Sequence, residues 1–121
     1  MTDAPWLGDA CSLVEAFRAK ERSPLEELEA TLGAIEASNL NAFVHVDAER
    51  ARATAAEADP SLPFGGVPLG IKSLDSVEGW PDTEESVVFA DRIADHTSTH
   101  MTRVLGAGGM GVVHAGLQTS L

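Results

Sequence analysis

The first forty residues carry apolar side chains at the three- and four-residue spacing of two amphipathic helices. The apolar face of the first helix, within residues 10–20, consists of Ala10, Leu13, Val14 and Phe17. Ser23-Pro24-Leu25-Glu26 then predicts the start of a second helix, with a serine N-cap, a proline in the first turn and a capping-box glutamate. Its apolar stripe is Leu25, Leu28, Leu32 and Ile35, and the helix ends near Ser38-Asn39. The two helices predict a helical hairpin, or an arm packed on something larger.

Three short apolar runs that follow have the length and composition of β-strands: AFVHV at 42–46, VPLGIK at 67–72 and GVVHAG at 111–116. An alanine-rich helix, capped by Asp47 and ended by Asp59-Pro60, separates the first two strands. Because strands alternate with helices, the sequence predicts an α/β fold with a parallel or mixed sheet. Pro68 has no N–H to donate, which places the second strand at a sheet edge or at a bulge.

A long segment without strong periodicity, residues 73–97, predicts a loop with one helical turn. Such loops inside compact domains are usually functional or disordered. Ser98 or Thr97 can cap the helix that follows, whose apolar residues are Met101, Val104 and Leu105. The glycines of GAGGMG at 106–111 follow a helix and precede a strand, the reverse of the dinucleotide-binding order, and therefore predict a turn.

The acidic composition narrows the choice of partners. The chain has 121 residues, the length of one domain or of part of one. It has 19 acidic and 8 basic side chains, which give a net charge of −11. This charge argues against nucleic acid and anionic membranes as partners. The acids concentrate at 26–36 and 47–59, where we expect solvated helix faces. No apolar run approaches the roughly 18 residues of a membrane span. MTDAPW lacks the features of a signal peptide, so we expect a cytoplasmic protein.

Cysteine and histidine content gives little support for a metal or redox site. The single cysteine, Cys11, cannot form an internal disulfide and is predicted to be a small core or interface residue. His96 and His100 have the spacing of two ligands on one helical turn, but no third ligand is evident, and we expect both to be partly exposed. His45 and His114 lie on apolar strands, where hydrogen-bonded core histidines are expected. We therefore expect no metal and no cofactor.

Lys72 is the residue that most invites a chemical interpretation. It ends the most strand-like apolar run, whereas the only other lysine, Lys20, lies among charged residues. In one interpretation the Lys72 ammonium reaches solvent while its stem covers apolar surface. In the other, the amine is desolvated at the carboxyl end of a strand, where α/β sheets place their sites, and can act as a base. Spacing alone leaves both open.

Recognisable motifs extend over nearly the whole chain. GVPLGIK at 66–72 with Gly79-Trp80 resembles the N-terminal part of the amidase signature family, which includes the amidotransferase A subunits. The segments at 23–43, 40–59 and 89–116 are similar to that family's N-terminal helices and its later loop, helix and strand. The resemblance implies an α/β/α sandwich around a large mixed sheet, in a chain several times longer than this one.

The same resemblance implies amide hydrolysis through a lysine, a serine with a cis peptide bond and a nucleophilic serine. Lys72 matches the lysine, whose neutral amine would accept a proton from the bridging serine. Both serines would lie beyond residue 121. Three departures stand out: Ser73 where the family has aspartate, Glu85 where it has glycine, and His114-Ala115-Gly116 where it has glycine-lysine-threonine.

Three interpretations follow from these matches and departures. In the first, the chain is a truncated amidase-signature protein that is inactive alone. In the second, it is a non-catalytic subunit that serves binding or assembly. In the third, it is a small acidic α/β protein whose likeness to the family is misleading. In the first two, residues 1–121 form one partial amidase-like domain, with a helical arm at 1–39 and an α/β portion at 40–121. A partial sheet leaves an open edge, so we expect another protein chain or a second copy to cover it.

Overall fold

The structure, a computed structural model, describes residues 4–115, and residues 113–115 by their backbone only. The helices are α1 (Ala10–Arg18), α2 (Pro24–Ala37), α3 (Ala48–Ala56) and α4 (Thr99–Gly106), with one 3₁₀ turn at Val87–Phe89. The strands are β1 (Phe43–Val46), β2 (Pro68–Lys72) and β3 (Met110–Ala115). This confirms the predicted order of elements. Gly116 of the predicted third strand and the tail 117–121 lie outside the described residues.

The three strands form a mixed sheet in the order β1-β3-β2. β1 pairs antiparallel with β3, whereas β2 pairs parallel with it. Within the described chain β2 is therefore an edge strand, as its first residue Pro68 predicts. The parallel register shifts between Leu69 and Gly70, opposite the extra residue Val112 in β3.

Caps predicted from the sequence define the starts of two helices. Ser23 accepts the N–H of Glu26 at 3.1 Å, and Glu26 accepts the N–H of Ser23 at 2.8 Å, which completes the capping box of α2. Asp47 caps α3. Ser98 precedes α4 but makes no side-chain cap bond. The hydroxyl of Thr97, the other candidate, instead accepts the N–H of Glu78 at 3.0 Å, because the preceding loop returns to this point.

Side chains pack on both faces of the sheet. Met110 and Val112 of β3 pack with Leu28 of α2 and Ala51 and Ala55 of α3. On the opposite face, Ile71, Val77 and Trp80 form a second cluster beneath α4. The apolar residues of α1 pack instead with Val67 and Leu69, and with Trp6. The two N-terminal helices thus contribute to different clusters, α2 to the one under β3 and α1 to the one around the start of β2.

Two predictions of burial need correction. Cys11 is exposed, so of its two predicted positions, core or interface, the structure excludes the core. It lies on the side of α1 that continues to Glu15 and Arg18 four and seven residues later. Glu27, predicted on a solvated face, is only 3% exposed. Its carboxylate lies 2.6 Å from the guanidinium of Arg22 and accepts the N–H of Trp6 at 3.0 Å, so it holds the N-terminal segment against α2.

No helix between residues 4 and 115 combines the length and the apolar character that crossing a bilayer requires.

Candidate functional site

Lys72 is the last residue of β2, at the carboxyl end of the parallel pair. Its neighbours Ile71 and Ser73 are 2% and 3% exposed, whereas Lys72 itself is exposed. Buried and exposed residues alternate in this way along a strand, because successive side chains point to opposite faces of the sheet. Among the described residues the Lys72 ammonium has neither a hydrogen bond nor an ion pair. Within the described residues Lys72 is therefore not covered, which corresponds to the first of the two alternatives.

A tight turn follows Lys72 and is tied to the far part of the loop 73–97. The N–H of Asp75 donates to the carbonyl of Lys72 at 2.9 Å. Ser73 donates its hydroxyl to the carboxylate of Glu85, and Ser76 donates to Asp82 at 3.0 Å. Both serines nearest to the lysine along the chain are thus bonded to carboxylates of residues 82–85.

Charged side chains surround this turn in specific pairs. Arg92 lies 3.2 Å from the carboxylate of Asp82 and 2.8 Å from that of Glu84, and its guanidinium stacks 4.1 Å from the centre of the Phe89 ring. His100 lies 2.8 Å from Asp75. Of the three carboxylates at 82, 84 and 85, only that of Glu85 has no cationic partner within the residues the structure describes.

Two consecutive glutamates in the loop have left-handed backbones. Glu84 has φ +50° and Glu85 has φ +59°. This region favours glycine, because a Cβ there lies too close to the following carbonyl oxygen. Glu85 is the residue that stands where the resemblance places glycine, and the observed backbone is the one that glycine would adopt without strain. The structure thus retains the turn shape and adds a side chain to it.

Trp80 anchors the loop beneath the sheet. The side chain is 2% exposed, and its indole N–H donates to Asp47 at 2.7 Å. Its ring meets that of His45 edge to face, with centroids 5.3 Å apart. Gly79, with φ +86°, turns the chain just before it. The sequence marked Trp80 and assigned Asp47 as a helix cap, but gave no signal that the two would meet.

The histidines do not form a site. His96 precedes α4 and pairs with Asp95 at 2.9 Å, which lowers the pKa of that carboxyl, while His100 pairs with Asp75. Both are mostly exposed, as predicted. Across residues 4–115 no three His, Cys, Asp or Glu side chains are grouped to hold a metal ion. His45 is half-buried, and the side chain of His114 lies outside the described part. Residues 106–111 form the predicted turn between α4 and β3.

A groove of about 450 Å³ lies between the helical arm and the start of β2. Its lining includes Trp6, Leu13, Ile35, Phe43 and Leu69, with Glu27 as an acidic member. Lys72 is not among the lining residues. The described chain therefore offers one free amine at a strand end, separate from this groove, and a hydrogen-bonded turn that fixes the backbone beside it.

Comparison with known proteins gives consistent matches. The sequence profile of the Amidase family matches residues 26–121. The A-subunit of the glutamyl-tRNA(Gln) amidotransferase of Acidobacterium capsulatum is 36% identical, covering 78% of this chain and 22% of that protein. Its counterpart in Burkholderia pseudomallei is 37% identical, covering 77% and 20%. The chain thus spans about a fifth of the length of these relatives.

Solved structures match the fold over most of the chain. A bacterial aryl acylamidase of the amidase signature enzymes has a TM-score of 0.82 at 26% identity, covering 94% of this chain and 26% of that one. A 6-aminohexanoate cyclic dimer hydrolase complexed with substrate has a TM-score of 0.82 at 29% identity, covering 89% and 23%. These matches confirm the α/β fold class predicted from the sequence.

Proposed function

Because the chain belongs to the amidase family, we propose that it is the N-terminal portion of a C–N hydrolase in which Lys72 supplies the proton-accepting amine. The observation that carries this proposal is the position of Lys72 at the carboxyl end of β2, within the 26–121 segment that matches the family. α/β sheets place their reactive groups at this end of their strands.

The role of Lys72 follows from the chemistry of an amine. As the nucleophilic serine oxygen attacks the amide carbonyl carbon, its proton passes to the bridging serine, whose own proton passes to the neutral Nζ of Lys72. Transfer of that proton to the amide nitrogen lets the C–N bond break and the amine leave, and water then hydrolyses the acyl–serine ester to release the acid and regenerate the serine. Both serines lie outside these 121 residues, as do the donors of an oxyanion hole, which is usually the largest catalytic contribution. We therefore infer that residues 1–121 alone do not hydrolyse amides.

A partner is the second part of the proposal. We expect another protein chain, or a second copy, to cover the open edge of β2 and to remove the Lys72 amine from water. The support is that the chain spans about a fifth of its relatives and that β2 has an unpaired edge in the described residues. The expected location remains the cytoplasm.

One observation favours a different function, a non-catalytic binding or assembly role. Ser73 and Glu85, two of the departures from the family pattern, bond to each other beside an exposed Lys72. A domain that only binds a partner would tolerate such changes, because its function would depend on packing and not on a reactive amine.

Reconstitution distinguishes the two functions. The 121-residue chain would be assayed for release of p-nitroaniline from p-nitroacetanilide, alone and co-purified with a polypeptide carrying the remaining amidase domain of a full-length relative. We expect no turnover from either part alone and turnover from the complex. Lys72→Arg keeps the positive charge but cannot act as a base at neutral pH. It should lower turnover at least about 1,000-fold, within the range of general-base effects.

Lys20→Arg is the matched control, since it makes the same change at the chain's other lysine. It should leave turnover unchanged, and both variants should still form the complex. Undiminished turnover in Lys72→Arg would remove Lys72 from the mechanism. A stable complex without turnover in the unsubstituted chain would favour the assembly role.

A further inference from the structure

We propose that Glu85 is a positioning residue for Lys72: through the hydroxyl of Ser73 it anchors the end of β2 from which the Lys72 side chain projects. The importance of this anchoring for catalysis rests on the function proposed for Lys72, but the anchoring itself does not. Nothing in the resemblance suggests a carboxylate at this position, since glycine is expected there.

The first step is the burial of Ser73. With 3% of its surface exposed, Ser73 has no access to solvent for its hydroxyl, and its donor is satisfied by Glu85. A buried hydroxyl without a partner is costly, so this bond determines where the residue after Lys72 lies. On its other side, the carbonyl of Lys72 accepts the N–H of Asp75 at 2.9 Å. Two hydrogen bonds thus hold the backbone at Lys72: one at its own carbonyl, and one made by the side chain of the next residue, Ser73.

The second step is the conformation of the turn that supplies the carboxylate. Thr83 shapes this turn: its hydroxyl accepts the N–H of Glu85 at 3.3 Å, and its carbonyl accepts the N–H of Ser86 at 2.8 Å. Glu85 has a left-handed backbone, which is strained for any residue with a side chain. The bond from Ser73 to its carboxylate and the bond from its own N–H to Thr83 hold Glu85 in this conformation.

The third step is the contrast with Glu84. Glu84 shares the left-handed backbone, but its carboxylate pairs with Arg92 at 2.8 Å. The Glu85 carboxylate has no cationic partner within the described residues, and Ser73 is the partner that the structure gives it. Two adjacent glutamates therefore carry the same backbone strain, and only one is bonded to the residue next to Lys72.

This contrast supplies a matched pair of variants in the full 121-residue chain. Glu85→Gly and Glu84→Gly relieve the same strain, so both should fold, but only Glu85→Gly removes the partner of Ser73. Ser73→Ala removes the other side of the bond. Glu85→Gln keeps an oxygen that can accept from Ser73 and serves as the conservative rescue.

The amine of Lys72 can be observed directly because the chain has two lysines. Reductive methylation with ¹³C-formaldehyde gives one ¹³C–¹H signal for each lysine amine, besides that of the terminal amine, and Lys72→Arg assigns the signal of Lys72. We expect the Lys72 signal to move in Glu85→Gly and in Ser73→Ala, to return to its original position in Glu85→Gln and to stay fixed in Glu84→Gly. The Lys20 signal should not move in any of them.

Hydrogen exchange of the Asp75 amide gives an independent readout, because this N–H donates to the Lys72 carbonyl. Its exchange should be at least about tenfold faster in Glu85→Gly than in the unsubstituted chain, as expected when a local hydrogen-bonded unit opens more often. Glu84→Gly should leave the rate within about twofold.

Two results would overturn the proposal: a Lys72 signal and an Asp75 exchange rate unchanged in Glu85→Gly, or equal changes in Glu84→Gly, which would indicate general loosening of the loop. Neither measurement requires turnover. If they come out as expected while Lys72→Arg in the reconstituted complex keeps its activity, Glu85 positions Lys72 but the proposed function is wrong.

Discussion

The carboxylate of Asp47 takes part in two interactions at the junction of β1 and α3. One oxygen accepts the N–H of Arg50 at 3.3 Å and caps the helix, and the other accepts the indole N–H of Trp80 at 2.7 Å. Trp80 packs in turn with Ile71, the residue before Lys72. A single side chain therefore links the start of a helix to the loop that lies under the candidate site.

Substitution Asp47→Ala should lower the free energy of unfolding by about 2–4 kcal/mol, because it removes both a helix cap and the acceptor of a buried donor. Urea denaturation measures this difference. Glu49→Ala is the control: Glu49 lies in the first turn of the same helix and is exposed, so its removal should cost less than about 1 kcal/mol. An Asp47→Ala chain as stable as the control would contradict the double role.

At the scale of the elements, what the sequence predicted correctly depends on neighbours along the chain. The capping box at Ser23, the edge position of Pro68 and the order of helices and strands all follow from residue types within a few positions of one another. The features that the sequence did not predict depend on contacts between segments far apart along the chain. The burial of Glu27 requires Trp6, twenty-one residues away, and Ser73 meets Glu85 only after the loop has folded back.

The candidate site, too, was only partly predictable from the sequence. The strand and the lysine at its end were evident from an apolar run followed by Lys72. The burial of the Lys72 amine was not evident from the sequence, since its exposure depends on what covers the sheet beyond these residues. The role of Lys72 remains a prediction from the resemblance.

A contact between two helices provides a prediction of pH dependence. Arg52 of α3 donates to Glu29 of α2 at 2.6 Å, and this hydrogen bond holds the pKa of Glu29 below its ordinary value of 4.5. A carboxyl whose folded pKa lies below its unfolded pKa stabilises the fold above the unfolded value, and this contribution is lost as the pH falls through the folded value. Stability should therefore decline on acidification below about pH 5.

Glu29→Gln should make this decline shallower, as measured by urea unfolding at a series of pH values between about 3 and 7. At pH 7 the variant should be only slightly less stable than the original, because pairs as exposed as this one contribute little net stability. Glu36→Gln, an exposed substitution on the same helix, should leave the slope unchanged. The prediction is wrong if both variants show the same pH dependence.

At the scale of the whole molecule, the described residues leave apolar surface near the candidate site uncovered. Val87 and Val88 of the 3₁₀ turn are 86% and 84% exposed, and Leu74 and Ile93 of the same loop are also exposed. The edge of β2 runs toward this loop and has unpaired backbone groups. Exposed apolar patches together with an open strand edge are typical of surfaces that another chain covers.

We therefore predict that the chain associates, and that its mass in sedimentation equilibrium exceeds the 12.7 kDa of the monomer. If the loop surface drives association, Val87→Asp with Val88→Asp should shift the chain toward the monomer, because charges would replace the most exposed valines. Leu7→Asp is the control, since Leu7 is 99% exposed but lies in the N-terminal segment. A monodisperse monomer across the concentration range would contradict association with itself, and would leave a different chain as the cover. Isolation from the native source then tests whether that chain carries the two serines that the resemblance implies.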